Sequence, residues 1–304
     1  MLSIMIGKRG YWLVFLGCIA AYIVITLGTS NPELAQRYNL TATGVRLVNL
    51  TIIVPITAIW IVAFYGAIQM KEYAAAIHGS TEGKPFDLIA TGLVVSVLGF
   101  PLTSAIAAAL KNIAINTPSL APATTIIQNY ATLAVAIIAF YYIGKGAQHL
   151  ALPVKKRSVT FDNSRWTLAF IIISSIFSWL VISHYGGNTR SLYHMPDWLV
   201  IGTLAIPYLW VWYQGAVAAY CIYYYQKHVK GMLYQRALVY CSAGIGAVIG
   251  ASVFIQFVTV FNERLSRLDL TPLLGIVYIL ILIYAVGYGL IAKGAKKLKA
   301  LENI

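Results

Sequence analysis

Nine carboxylates, five histidines and three cysteines are the side chains of this 304-residue sequence suited to acid–base, metal or nucleophilic chemistry. Their placement argues against each of these. Glu33, Glu72, Glu82, Asp87, Asp162, Asp197, Glu263, Asp269 and Glu302 fall outside the long apolar runs or at their ends, as do His78, His149, His184, His194 and His228. Proton- and sodium-coupled carriers ordinarily keep an ionisable group within the membrane. That class is weakened, although backbone carbonyls at broken helices can still hold a cation. Cys18, Cys221 and Cys241 lie singly inside apolar runs and read as small packing residues, not as a disulfide or zinc site. No lysine sits mid-run to carry a Schiff base, and no nucleophile elbow, P-loop, HExxH or Rossmann fingerprint is present. The sequence leads us to expect no metal, no cofactor and no catalytic residue, and it leans away from an enzyme. An enzyme acting on a membrane lipid would have to draw on acids and histidines near one membrane face, such as Asp87, His149 and His228.

What remains for recognition is neutral and aromatic. Tyr208, Trp210, Trp212 and Tyr213 precede Gln214, the most polar residue near the centre of its run, and Trp60 stands in an earlier run. An amide in hydrocarbon must find a hydrogen-bond partner. A pocket of aromatic faces with one amide suits a flat apolar or cationic ligand. Pro55, Pro101 and Pro207 lie inside runs, where a proline frees a carbonyl and bends a helix. Such breaks often mark ligand sites in transporters. The expected ligand-binding set is therefore Trp60, Pro101, Tyr208, Trp212 and Gln214. Lys145 and Lys293 stand about twenty residues into their runs, where they would snorkel to the headgroups. As a matched pair they are the expected site for an inner-face anion or lipid. Tyr220, Tyr223, Tyr224 and Tyr225 read as an interfacial aromatic belt, and Arg37 and Arg190 as ordinary charge on outer loops.

These side chains must be positioned by elements that suit a bilayer. The chain is 60% hydrophobic and 10% charged, against about 25% charged in soluble proteins. A charge at the bilayer centre costs roughly 2.5–3.5 kcal/mol, so crossings are sought where Lys, Arg, Asp and Glu are missing. Eight runs qualify: 10–32, 47–70, 88–110, 112–144, 166–189, 198–226, 237–262 and 270–292. About 20 residues suffice for a helical crossing, and the runs lack the alternation of barrel strands. In 112–144, Pro118 and Pro122 predict a loop over 112–122 and a helix from near Thr124. Asn31-Pro32-Glu33 predicts a short helix from Pro32 to about Tyr38. Lys8-Arg9 before an apolar run has the form of a signal peptide, but no A-x-A site follows and the run is long for one.

Orientation follows from the basic residues. With the N-terminus inside, sixteen lysines and arginines fall on inner segments and six (Arg37, Arg46, Lys111, Arg190, Arg264 and Arg267) on outer ones. That distribution places both ends on the cytoplasmic side. It also accounts for the net charge of +13 without a nucleic acid, for which no motif is present. The expected location is a cell membrane, the cytoplasmic membrane if the source is bacterial, with the lipid bilayer as the main partner.

The two halves also resemble each other. A shift of 152 residues lays Thr51 on Thr203, Pro55 on Pro207, Trp60 on Trp212 and Ala67 on Ala219. A shift of 148 lays Tyr130 on Tyr278, Lys145-Gly146-Ala147 on Lys293-Gly294-Ala295, and Leu150 on Leu298. The fold expectation is an all-α polytopic membrane protein. Its eight transmembrane helices would form two parallel four-helix repeats, 1–150 and 151–304, related by a pseudo-two-fold axis along the membrane normal. Two bundles of four helices resemble the layout of heme A synthases, which ligate haem through histidines within their spans. No histidine stands there in this chain, so that function is not carried over. Gly246 and Gly250 form a GxxxG, which suits an internal packing face or a contact with a second copy or another membrane protein. The leading functional expectation is a small transporter or channel with its site between the halves. The alternatives are a non-catalytic structural or sensory subunit that docks a partner, and a lipid-modifying membrane enzyme.

Overall fold

Hydrocarbon offers a peptide group no water to bond, so an apolar run must satisfy its own N–H and C=O groups. The computed structural model does this with helices throughout, and describes residues 8–28, 32–117, 121–152, 197–229, 234–260 and 269–301. The helices are α1 (Lys8–Gly28), α2 (Pro32–Arg37), α3 (Ala42–Ala76), α4 (Gly83–Asn116), α5 (Ala121–Ala151), α6 (Asp197–His228), α7 (Gln235–Val260) and α8 (Leu270–Ala300). No strand occurs among the described residues. Six of these helices, α1, α3, α4, α5, α7 and α8, are long and apolar enough to cross a membrane, as an integral membrane protein requires. The 32-residue α6, tyrosine-rich in its described part, is not among the six. The expected run 166–189 and Arg190 lie outside the described residues.

Local sequence sets the boundaries. Pro32 opens α2 at a position where its missing N–H costs nothing. Thr41 caps α3, its hydroxyl accepting the Gly44 N–H at 3.1 Å. The α3–α4 turn holds Gly79 at φ 101°, a conformation glycine adopts without strain. Ser80 Oγ there accepts from the Gly83 N–H at 3.1 Å and donates to the Ile77 carbonyl at 2.8 Å. Freedom from charge delimits the hydrocarbon crossing and not the helix. Thus α3 runs on through Lys71 and Glu72, and α4 begins before Asp87. The expected loop over 112–122 needs correction. Residues 112–116 continue α4 beyond Lys111, whose exposed side chain does not end the helix, and α5 starts at Ala121 with Pro122 in its first turn.

Helices α3 to α8 pack in chain order, and α8 closes back on α3, so the six form a ring. α1 lies against α4 and α3. Within the ring, backbones approach closely at glycines. A Cβ on Gly92 of α4 would meet the Ala139 carbonyl of α5 at 2.5 Å and Ile143 N at 2.9 Å. A Cβ on Gly244 of α7 would meet the Gly287 carbonyl of α8 at 2.6 Å and Ile291 N at 2.9 Å. At the other end of the same pairs, a Cβ on Gly146 would meet the Pro85 carbonyl at 2.6 Å and one on Gly294 the Ala237 carbonyl at 2.8 Å. In lipid, where apolar surface gains little by pairing with other apolar surface, this proximity is what holds helices together. Gly246 and Gly250 behave differently. Both are exposed, with no described atom within 4 Å of an added Cβ, so an internal packing face is not seen at the GxxxG among the described residues.

Pro55 and Pro101 stay within unbroken helices. A proline at 55 deprives the Thr51 carbonyl of its intrahelical donor. That carbonyl accepts instead from the Tyr278 hydroxyl of α8, at 3.4 Å.

Candidate functional site

A small cavity of about 10 Å³, room for one water-sized molecule, lies between helices of the ring. Four helices line it. α4 gives Leu93 and Ser96, α5 gives Phe140 and Ile143, α7 gives Ile245 and Val248, and α8 gives Tyr288 and Ile291. Its polar groups are two hydroxyls. Ser96 Oγ donates to the Leu93 carbonyl one turn back, at 2.8 Å, and hydrogen-bonds the Tyr288 hydroxyl from across the ring. Both residues are buried. The site therefore holds neutral hydrogen-bonding capacity, without a charge, inside apolar walls.

From Tyr288 a polar aromatic chain leads through α8, α7 and α6. The Tyr288 ring stacks on Tyr284, with centroids 6.3 Å apart. The Tyr284 hydroxyl hydrogen-bonds Ser252 of α7. Ser252 Oγ also accepts from Trp212 Nε1 at 3.2 Å, and the Trp212 ring lies 6.5 Å from that of Tyr208. Each donor in the chain needs a partner in hydrocarbon, which is why indole and hydroxyl cluster here.

The expected ligand-binding residues are distributed around this chain. Tyr208 and Trp212 belong to it. Gln214 is fully buried at the α5–α6 contact, its Oε1 filling the space a Cβ on Gly144 would need. Pro101 is buried in α4. Trp60 is taken up elsewhere, edge-on to Tyr22 of α1 at 5.0 Å, so the two tryptophans have different partners. The side chain of Pro207 lies outside the described residues. Ser96, Ser252, Tyr284 and Tyr288 were not singled out by the sequence analysis. The spacing of Tyr284 and Tyr288 on one helix face was the available signal, obscured among twenty-one tyrosines.

At the lysine-rich end of the ring, polar ties bind neighbouring helices. Lys71 of α3 donates to Asp87 of α4 at 2.6 Å and to Thr91 at 3.0 Å. Lys299 of α8 pairs with Glu72 of α3. Glu82, at the start of α4, accepts from the Tyr225 hydroxyl of α6 and, at 3.5 Å, from that of Tyr234 ahead of α7. Burial pushes the Tyr234 hydroxyl up from its ordinary pKa, and the Glu82 charge pushes the same way, so it stays a donor. Tyr220 and Tyr223 are exposed as a belt requires, whereas Tyr225 is buried and serves this tie. His228 rests on Tyr224 with ring centroids 4.5 Å apart. Asp87, His149 and His228 do not gather, and no three His, Cys, Asp or Glu side chains among the described residues could share a metal ion.

Lys145 and Lys293 each lie over a tyrosine. Lys145 uses Tyr141 of its own helix, 5.4 Å from Nζ to the ring centre, with Nζ 3.3 Å from the hydroxyl. Lys293 uses Tyr240 of α7, at 4.5 Å. Comparison of the chain with protein families, characterised proteins and solved structures finds no match.

Proposed function

We propose that this chain binds or conducts a small neutral molecule across a membrane, at a site on a pseudo-two-fold axis between two parallel repeats. The observation that carries the reading is the composition of the cavity. The 152-residue shift relates Leu93 to Ile245 and Ser96 to Val248, and the 148-residue shift relates Phe140 to Tyr288 and Ile143 to Ile291. A lining made wholly of corresponding pairs is what an axis through the cavity produces. The same shifts carry Gly92 and its contacts at 139 and 143 onto Gly244 and its contacts at 287 and 291. They also carry Glu82 onto Tyr234, two residues that touch, which supports an axis passing between them at the lysine-rich end. Two four-helix repeats of one orientation, both ends cytoplasmic, complete the proposal.

The ligand class follows from the groups available. A serine and a tyrosine in apolar walls can satisfy a neutral hydrogen-bonding guest but cannot compensate an ion stripped of water. The guest is water, or a neutral solute of a few heavy atoms admitted when the halves part. The experiment is osmotic shrinkage of proteoliposomes, followed by light scattering with water, urea and glycerol as permeants. Permeation above protein-free vesicles is expected for at least one of them. Tyr288→Phe and Trp212→Ala should each lower it about tenfold while insertion is unchanged. Gln214→Leu, which disturbs the α5–α6 contact, should do the same. Rates equal to empty vesicles for all three permeants would remove the proposal.

A second reading, a subunit that docks a membrane partner, is favoured by the open setting of Gly246 and Gly250. Gly246→Leu with Gly250→Leu would abolish co-purification of a partner or of a second copy.

A further inference from the structure

The last turns of α8 hold two kinds of lysine. Lys299 has its counter-charge, Glu72 of α3. Lys293 and Lys297 have none among the described residues, and they converge instead on the ring of Tyr240 in α7, 4.5 and 5.4 Å from its centre. Among the described residues, the other carboxylates at this end are engaged, Asp87 with Lys71 and Glu82 with Tyr225 and Tyr234. Two ammonium groups held beside one aromatic ring repel each other. The ring's negative face offsets part of that repulsion, and an anion between them would offset the rest. Arg236, one turn before Tyr240 on α7, and Lys296 are exposed and add to the local positive field.

Depth identifies the anion. Lys293 lies roughly 35 Å along α8 from Leu270 at 1.5 Å per residue. A hydrocarbon core of about 30 Å therefore ends near it. Lysine and tyrosine at that level face lipid phosphates. The corresponding region of the first half is poorer in charge. Lys145 rests on a tyrosine of its own helix, and His149 stands at the position matching Lys297. We propose that Tyr240, Lys293 and Lys297 form a binding site for the phosphate of an anionic phospholipid, present in the second half and not in the first. It rests only on the chain spanning a membrane and not on the nature of the permeant.

The test is native mass spectrometry of the full chain with equimolar phosphatidylglycerol and phosphatidylcholine, with and without millimolar inorganic phosphate. Phosphatidylglycerol adducts should dominate. Lys293→Gln with Lys297→Gln should reduce that preference about tenfold. The paired arginine variant should keep it, and Lys145→Gln should leave it unchanged. Resistance to inorganic phosphate assigns the site to the lipid, and displacement by it assigns the site to a soluble phosphate. Equal adducts of the two lipids on the unaltered chain would overturn the site, as would a double glutamine variant with unchanged preference, or an equal loss from Lys145→Gln.

Discussion

At residue 92 in α4 and residue 244 in α7, a glycine brings the next helix of the ring to backbone contact, and the atoms met are the corresponding ones. The side chains facing inward from α3–α5 and α6–α8 tell another story. Under the proposed repeat, Tyr208, Trp212, Ser252, Tyr284 and Tyr288 correspond to Ile56, Trp60, Phe100, Ala136 and Phe140. Among these five pairs the tryptophan is kept, and each of the four hydroxyls is replaced by hydrocarbon at its first-half counterpart. Backbone proximity is demanded twice because both halves must hold together in lipid. The polar chain is present once, so it is not a requirement of the architecture. Chemistry that a scaffold does not need is where a ligand is to be sought.

The largest effect should come from the shared glycines. Gly92→Leu and Gly244→Leu would each drive a side chain into a carbonyl about 2.5 Å from its Cβ, with an expected cost of about 3 kcal/mol or more. Neither should yield monodisperse protein on size exclusion. Gly289→Leu, which has open space around it, should behave as the unaltered chain. Tolerance of leucine at 92 but not at 244 would break the equivalence of the halves.

A sharper test exchanges the halves' chemistry at the cavity. Phe140→Tyr places a hydroxyl opposite Val248, with an expected cost of about 1–3 kcal/mol for an unpaired buried polar group. Adding Val248→Ser supplies the acceptor that Ser96 supplies to Tyr288, and should recover about 1 kcal/mol. Thermal unfolding of the two single variants and the double variant measures this coupling. Additive losses would mean that the two diagonals across the cavity are not related as the repeat requires. Tyr288→Phe, the opposite exchange, should cost about 1 kcal/mol, less than Phe140→Tyr.

Much of this was legible in the sequence because it depends on where charge is affordable. The seven expected runs that fall on described residues lie largely on helices, six of them long and apolar enough to cross a membrane, and the short helix at Pro32 was signalled by its cap. Helix ends were misjudged where Lys111 was taken as a boundary, since a lysine at a helix surface reaches water without ending the helix. The aromatic chain was half visible. Trp212 and Tyr208 stood out by density, but their partners Ser252 and Tyr284 are single ordinary residues on other helices, brought near only by the packing of α6 on α7 and of α7 on α8. Trp60 was paired with Trp212 by likeness of position. Corresponding positions on opposite sides of a ring need not meet, and Trp60 turns to α1.

The smallest effect should be found among the ties at the lysine-rich end, which divide by burial. Glu82→Leu leaves the buried Tyr225 hydroxyl without its acceptor, with an expected cost of about 1–2 kcal/mol. Glu82→Gln keeps an acceptor and should cost less. The Lys71–Asp87 pair is more open, with a quarter of the lysine and half of the aspartate side chain exposed. Lys71→Met should therefore cost about 0.2–1 kcal/mol, and the loss should shrink at high salt. The Lys71–Asp87 ion pair thus contributes less than the Glu82–Tyr225 contact, although of these two it is the one that joins two full charges. Thermal unfolding of these three variants at low and high salt measures the order. A Lys71→Met loss that exceeded Glu82→Leu and persisted in salt would mean that the α3–α4 seam, and not the junction at Glu82, holds this end of the ring together.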